Sequence, residues 1–251
     1  MNTTENDVRF MPGGFGDYGE LITTESRYAV KERHDLFQIL PPAAYHSILE
    51  VGCANGANLV FFARELGIRL ENVLGVDICA EEQGVSSINI LHSSLEDYLK
   101  SEIQCFDIIL LSDVLEHIYN PWKVLSEIKS RLSPAGVLLI SVPNIENIRY
   151  LELVASGRFY YTETGLMDET HIRFFSMETI ANALADNGYQ LVKAGFRPDL
   201  GLEGLRGRVA NQLDTEVAVA LQIADGVSVT VNKANINRKF GQQILVAASA
   251  L

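Results

Sequence analysis

Two histidines and one acid have the chemistry to move a proton. His117 closes the run Leu111-Ser112-Asp113-Val114-Leu115-Glu116-His117, and His171 lies in Gly165-Leu166-Met167-Asp168-Glu169-Thr170-His171-Ile172-Arg173-Phe174-Phe175. Imidazole titrates near neutral pH, so either ring can act as general base toward a hydroxyl nucleophile. Asp113 precedes His117 by four residues, a spacing that would put both on one face of a helix. The plainer alternatives are that His117 caps or packs beneath a site, and that Thr170, His171 and Arg173 tie their own loop together by hydrogen bonds.

A second group of residues has the form of a ligand cradle. Ile48-Leu49-Glu50-Val51-Gly52-Cys53-Ala54-Asn55-Gly56 is an apolar strand that runs into a glycine-bearing turn and then a helix. Such a turn lets a ligand lie against backbone. A dinucleotide fingerprint would need glycine where Ala54 stands, and an acid at Glu50 suits a cationic, hydrogen-bond-donating ligand better than a diphosphate. Val73-Leu74-Gly75-Val76-Asp77-Ile78 is a second strand ending in an acid, 25 residues after Gly52. There Asp77 can accept hydrogen bonds from both hydroxyls of a ribose, or, more plainly, cap a following helix.

These residues resemble the class I S-adenosylmethionine-dependent methyltransferases, whose first motif has the form E/D-x-G-x-G-x-G. Glu50, Gly52 and Gly56 match it, with Ala54 in the middle place. The resemblance implies that the turn, Cys53 and Ala54 included, lies under the methionine part of the cofactor, that Asp77 takes the ribose and that Ile78 packs on the adenine. His92-Ser93-Ser94-Leu95-Glu96 falls where the family often has Gly-Asp-Leu. Ser94 thus stands in for the acid at the adenine amino group, with the Leu95 backbone as the other candidate.

Phe106-Asp107-Ile108-Ile109-Leu110-Leu111-Ser112-Asp113-Val114-Leu115-Glu116-His117-Ile118 is similar to the branch that holds ubiquinone-biosynthesis O-methyltransferases and many tailoring enzymes. The resemblance implies that Leu111 and Ser112 border the cofactor and that Asp113 faces the transfer site. In some relatives an acid-x-x-Glu-His cluster binds a divalent metal here; Asp113, Glu116 and His117 match it with Asp for one Glu, and no metal is expected. A G-L-x-D-x-T-H-x-R-F-F-S/T string recurs after the fifth strand in this branch. That implies His171 as base and Arg173 as anchor for an anionic acceptor or an internal acid; the aromatic run Phe159, Tyr160 and Tyr161 reads on its own as an acceptor wall or equally as sheet-edge packing. Arg33 falls where some relatives hold the methionine carboxylate; a solvated helix face is the plainer reading.

The elements that would position these residues alternate. Strands at 47–51, 73–76, 88–91, 106–111 and 136–142 are separated by helices at 58–66, 95–100 and 121–131, which is the pattern of a parallel sheet covered on both faces. A helix over 176–187, capped by Ser176 and stopped by Gly188, and a closing strand over 242–248 follow. The expected fold is a Rossmann-like, doubly wound α/β sheet with helical lid and insertions. Family resemblance supplies its seven strands with the last antiparallel. Residues 1–26 read as a flexible leader or lid and 27–251 as one domain, with a cofactor core at 47–144 and acceptor-side insertions at about 145–175 and 195–240. A helix is expected around 214–223.

Composition narrows the function classes. Among 251 residues, 20 Lys+Arg against 32 Asp+Glu leave a net charge of −12, which argues against a nucleic-acid acceptor. Three cysteines without a CxxC pair suit reduced thiols, and with neither a secretory signal nor a membrane-length apolar run the cytoplasm is expected. The expected function is S-adenosylmethionine-dependent methyl transfer to a small-molecule or saccharide acceptor, most simply O-methylation. N-methylation on the same fold, or a silent methyltransferase-like binding module, are the alternatives. Acceptor identity and oligomeric state lie beyond the sequence.

Overall fold

The computed structural model describes residues 32–78, 88–100 and 104–251; the leader at 1–26 and Cys79 lie outside them. The chain divides into two compact units. One takes residues 28–143, 170–195 and 243–251, the other 1–27, 144–169 and 196–242.

The larger unit is built on a sheet of β1 (Ile48–Val51), β2 (Val73–Asp77), β3 (Asn89–His92), β4 (Phe106–Ser112), β5 (Leu132–Pro143), β6 (Tyr189–Pro198) and β9 (Gly241–Ala250), in the order β3-β2-β1-β4-β5-β9-β6. The first five run parallel, and β9 pairs antiparallel with β5 from Val137↔Ser249 to Pro143↔Gln243. The last strand of the chain is therefore the antiparallel one that the resemblance implied. β1 and β4 are buried along nearly their whole length because helices cover both faces, which is why they read as unbroken apolar runs rather than alternating ones.

Helices α1 (His34–Ile39) and α2 (Ala57–Leu66) bury Leu36, Leu59, Phe61 and Phe62 against Ile48, Ile108, Leu110 and Leu139. Each such apolar side chain contributes roughly 1.5–3 kcal/mol by leaving water. Helices α3 (Leu95–Leu99), α4 (Pro121–Ile128) and α6 (Met177–Asp186) complete the unit's cover. α6 starts at a capping box in which Ser176 Oγ accepts the Thr179 N–H and the Ser176 N–H is returned to Thr179 Oγ1, and the chain leaves it through Gly188 at φ +75°. The sheet order reverses direction between β1 and β4, and in open α/β sheets such a switch point is where ligands bind, at the carboxyl ends of the strands. Those ends carry Gly52, Asp77 and Ser112.

The second unit holds α5 (Ile148–Ala155), α7 (Glu203–Gln212), the antiparallel hairpin β7 (Val219–Ala224) with β8 (Val227–Val231), and α8 (Ile236–Phe240), around a core of Ile148, Leu205, Val209, Leu221, Val231 and Phe240. The helix expected over 214–223 is corrected here: 219–224 is a strand, and the helix lies earlier, at 203–212. The signal was an Asp225-Gly226 turn between two segments rich in Val, with Gly226 at φ +72°. Asp-Gly between alternating apolar residues favours a tight hairpin over helix. Among the described residues, no helix is long and apolar enough to cross a membrane.

Candidate active site

The turn after β1 is left-handed at alternate residues, Gly52 at φ +69°, Ala54 at φ +45° and Gly56 at φ +80°. At Gly52 a Cβ would come within 2.8 Å of Val114 Cγ2, so glycine is needed for packing as well as for conformation. Ala54 adopts a backbone that costs an L-residue roughly 1 kcal/mol, and its N–H donates to Asp77 Oδ2 at 2.7 Å. Asp77 is thus tied to the turn. Ile78, one residue on, is 66% exposed, a large apolar side chain at the mouth of the strand ends. Cys53 points its thiol into the core, where burial raises its pKa, so it can offer a ligand only backbone. Leu111 and Leu95 are buried. The Ser94 hydroxyl is the N-cap of α3, accepting the Asp97 N–H and donating to Asp97 Oδ2.

Glu50 is buried beneath this turn. Its carboxyl is pushed up to about 7, first by burial and further by Asp77, while Asn58, the nearby Ser112 hydroxyl and the Arg33 charge pull it down. Oε1 accepts from Asn58 Nδ2 at 2.7 Å. Among the described residues Oε2 and the Ser112 hydroxyl have no hydrogen-bond partner.

Arg33 is not on a solvated face: it is 8% exposed. Its Nε and Nη2 donate to the two Asp35 oxygens, Nη1 to Asp113 Oδ2 and Ser141 Oγ, and Nη2 also to Gln243 Oε1. Asp113 differs from the helical reading as well. It sits at φ +55°, its carboxylate also takes Ser141 Oγ and Gln243 Nε2, and the residues after it form a 3-10 turn, Leu115–His117. Asp113 and His117 therefore do not share a helical face. Spacing could not show that Gln243, 130 residues from Asp113, would close this network.

The two histidines do come together. Backbone N–H groups of Ile172 and Arg173 both donate to the Glu116 carbonyl, which lays the 170–173 segment along the 3-10 turn. The imidazoles of His117 and His171 then meet edge to face with centroids 4.9 Å apart. His117 Nδ1 lies 3.0 Å from the Thr170 hydroxyl, which can donate or accept, and 3.2 Å from the Thr170 carbonyl, which can only accept; a hydrogen on Nδ1 satisfies both contacts, and in that tautomer Nε2 is left to accept a proton. A Glu116 oxygen and one nitrogen from each histidine lie within 4.8 Å of one another, a grouping that could hold a metal ion. Arg173 donates to the carbonyls of Ile172 and Tyr119 and stacks 5.1 Å from the Tyr119 ring. Tyr160 and Tyr161 belong to the second unit, where they are exposed and Phe159 meets Tyr161 edge to face.

A glycine turn, an acid on the neighbouring strand and a buried acid below suit many nucleoside ligands, and comparison with known proteins decides among them. The family model described as "Methyltransferase domain" matches residues 22–194. The chain belongs to the methyltransferase domain family. Among curated proteins it is similar to the ubiquinone biosynthesis O-methyltransferase of Actinobacillus pleuropneumoniae, 28% identical over 127 residues that cover 45% of this chain and 52% of that one. It is also similar to the tRNA U34 carboxymethyltransferase of Methylococcus capsulatus, 29% identical, covering 59% of this chain and 47% of that one. The chain spans about half the length of these curated relatives. A solved S-adenosylmethionine-dependent methyltransferase from Archaeoglobus fulgidus shares the fold, with TM-score 0.53 and 23% identity over 81% of this chain and 86% of that one.

The class I methyltransferase recognised in the sequence and its cofactor, S-adenosylmethionine, follow from this membership. The residues fit that group. A cationic ligand rich in donors suits a buried carboxylate whose Oε2 has no described donor, and the left-handed turn leaves backbone open beside it.

Proposed function

We propose that this methyltransferase transfers a methyl group from S-adenosylmethionine to a hydroxyl of a small-molecule or saccharide acceptor, with the His117–His171 pair supplying the base. The observation that carries this reading is the convergence of two imidazoles from segments 54 residues apart, at the turn that follows β4. Bound S-adenosylmethionine supplies a methyl group on a sulfonium, open to direct displacement. The chain's part is to hold the partners in line, exclude water and take the hydroxyl proton.

On the cofactor side stand Glu50, the turn from Gly52 to Gly56, Asp77, Ile78, Ser94, Leu95, Leu111 and Ser112. On the acceptor side, His117 Nε2 takes the proton while the Thr170 carbonyl holds Nδ1–H, and His171 packs the ring in place. Asp113 serves by orienting Arg33. Among the described contacts Arg173 meets carbonyls and a ring rather than a carboxylate, which supports it as anchor for an anionic acceptor group. The tRNA-modifying relative does not redirect this reading, because a net charge of −12 disfavours a polyanionic acceptor.

Methyl-labelled cofactor offered with a panel of hydroxyl and amine acceptors tests the proposal. Label in an ether product that is lost with His117→Ala or His171→Ala supports it; label only in amines, untouched by either change, points to N-methylation; cofactor binding with no product from any acceptor points to a silent module. The grouping of Glu116, His117 and His171 favours one further reading, that a divalent ion helps the acceptor lose its proton. In that case activity disappears on chelation and returns with added manganese or zinc.

A further inference from the structure

Behind the glycine turn runs a line of polar side chains that holding an acceptor does not use. It starts at Glu50, 1% exposed, whose Oε1 takes the hydrogen bond from Asn58 Nδ2. Asn58 is wholly buried, and its Oδ1 accepts the backbone N–H of Arg33 at 3.1 Å. That second bond sets the orientation of the amide: with Oδ1 committed to a donor, only the NH₂ group can face Glu50.

Arg33 is immobilised in turn. All five N–H donors of its guanidinium are spent, on both oxygens of Asp35, on Asp113, on Ser141 and on Gln243. Gln243 locks the arrangement from β9, accepting from Arg33 Nη2 at 3.1 Å and donating to Asp113 Oδ1 at 2.7 Å. At the near end of the line, Oε2 of Glu50 is buried with no described hydrogen-bond partner. Leaving such an acceptor unpaired is costly, a cost that native sites carry where a ligand brings the donor.

We propose that Asn58 and Arg33 are positioning residues for Glu50: they hold Oε1 from behind so that Oε2 is kept for a donor of the bound cofactor, and Asp113 and Gln243 anchor Arg33 in that task. This rests on the cofactor reading above. The charged and titratable groups that face Glu50 are Arg33, Asp77 and the Cys53 thiol, with Asn58 as a neutral donor and the Ser112 hydroxyl nearby but outside hydrogen-bond geometry. A proton on Glu50 competes with a ligand's donor, so binding tightens as the carboxyl ionises. Asn58 favours the ionised form, and without it the proton stays on to higher pH.

The test is calorimetric binding of adenosylhomocysteine from pH 6 to pH 9 to the wild type, Asn58→Leu, Gln243→Leu and Glu50→Gln. In the wild type affinity rises about tenfold across neutrality, and in Glu50→Gln it is flat. In Asn58→Leu the rise is displaced upward by about one pH unit, leaving binding about fivefold weaker at pH 7 and close to wild type at pH 9. Gln243→Leu, which removes only the far anchor, moves the same way by less, and decides the matter if Asn58→Leu does not fold. Profiles that superimpose, or a variant uniformly weaker at every pH, overturn the positioning role while the cofactor reading stands. A wild type that binds no adenosylhomocysteine at any pH overturns the cofactor reading itself.

Discussion

His117 and His171 stand edge to face, centroids 4.9 Å apart, with His117 Nδ1 held 3.2 Å from the Thr170 carbonyl. In the function proposed above the two rings act as one unit, one taking the proton and the other fixing its aim. With a hydroxyl acceptor, His117→Ala is expected to lower kcat about a hundredfold to ten-thousandfold. His171→Ala loses less, and the double variant loses little more than His117→Ala alone. Steady-state kinetics reads this, with unchanged cofactor affinity as the control; equal losses that multiply in the double variant would sink the pairing.

Glu50 makes folding stability fall with pH. Its folded pKa is raised to about 7 from the ordinary glutamate value of 4.5, so between those values the folded chain keeps a proton that the unfolded chain gives up. The favourable contribution is complete below pH 4.5 and gone once pH passes 7. Glu50→Gln keeps the shape and removes the ionisation. It should therefore raise the stability of the unliganded protein at pH 8 by an amount on the order of 2–3 kcal/mol relative to its effect at pH 5, read by denaturant titration at both pH values.

Ala54 holds a left-handed backbone at φ +45° where glycine would sit without strain. Ala54→Gly relieves roughly 1 kcal/mol of that strain and gives back a similar amount through a more flexible unfolded chain. Melting temperature should move by no more than about 3 °C and adenosylhomocysteine affinity by less than about threefold. A loss of affinity beyond tenfold would mean that the alanine methyl itself touches the ligand.

Gly226 turns the β7–β8 hairpin at φ +72°, with no atom within 4 Å of where its Cβ would be. Space is therefore no obstacle to a side chain there, and conformation is the whole cost. Gly226→Val should destabilise by about 1–2 kcal/mol, while Gly226→Asn, which tolerates this backbone, loses less than half as much. Thermal unfolding of the pair separates turn strain from lost packing, since equal losses would rule out strain.

By itself the sequence determined the alternation of strands and helices over 47–144, the glycine turn with Glu50 and Asp77, and the Ser176 cap, because apolar period, turn residues and capping are written within a few neighbouring positions. It placed His117 and His171 on separate strings with no sign that they touch. It also spread Arg33, Asn58, Asp113 and Gln243 over more than 200 residues, too far apart for any local pattern to join. The hairpin at 219–231 was missed for a nearer reason, since a short apolar run suits helix or strand until a partner pairs with it. Only the tertiary structure decided which polar groups share a buried space. Once the sheet closed with its last strand against β5, the buried donors of Arg33 had to find acceptors across the fold, and that demand seated Arg33 on Asp113 and Gln243.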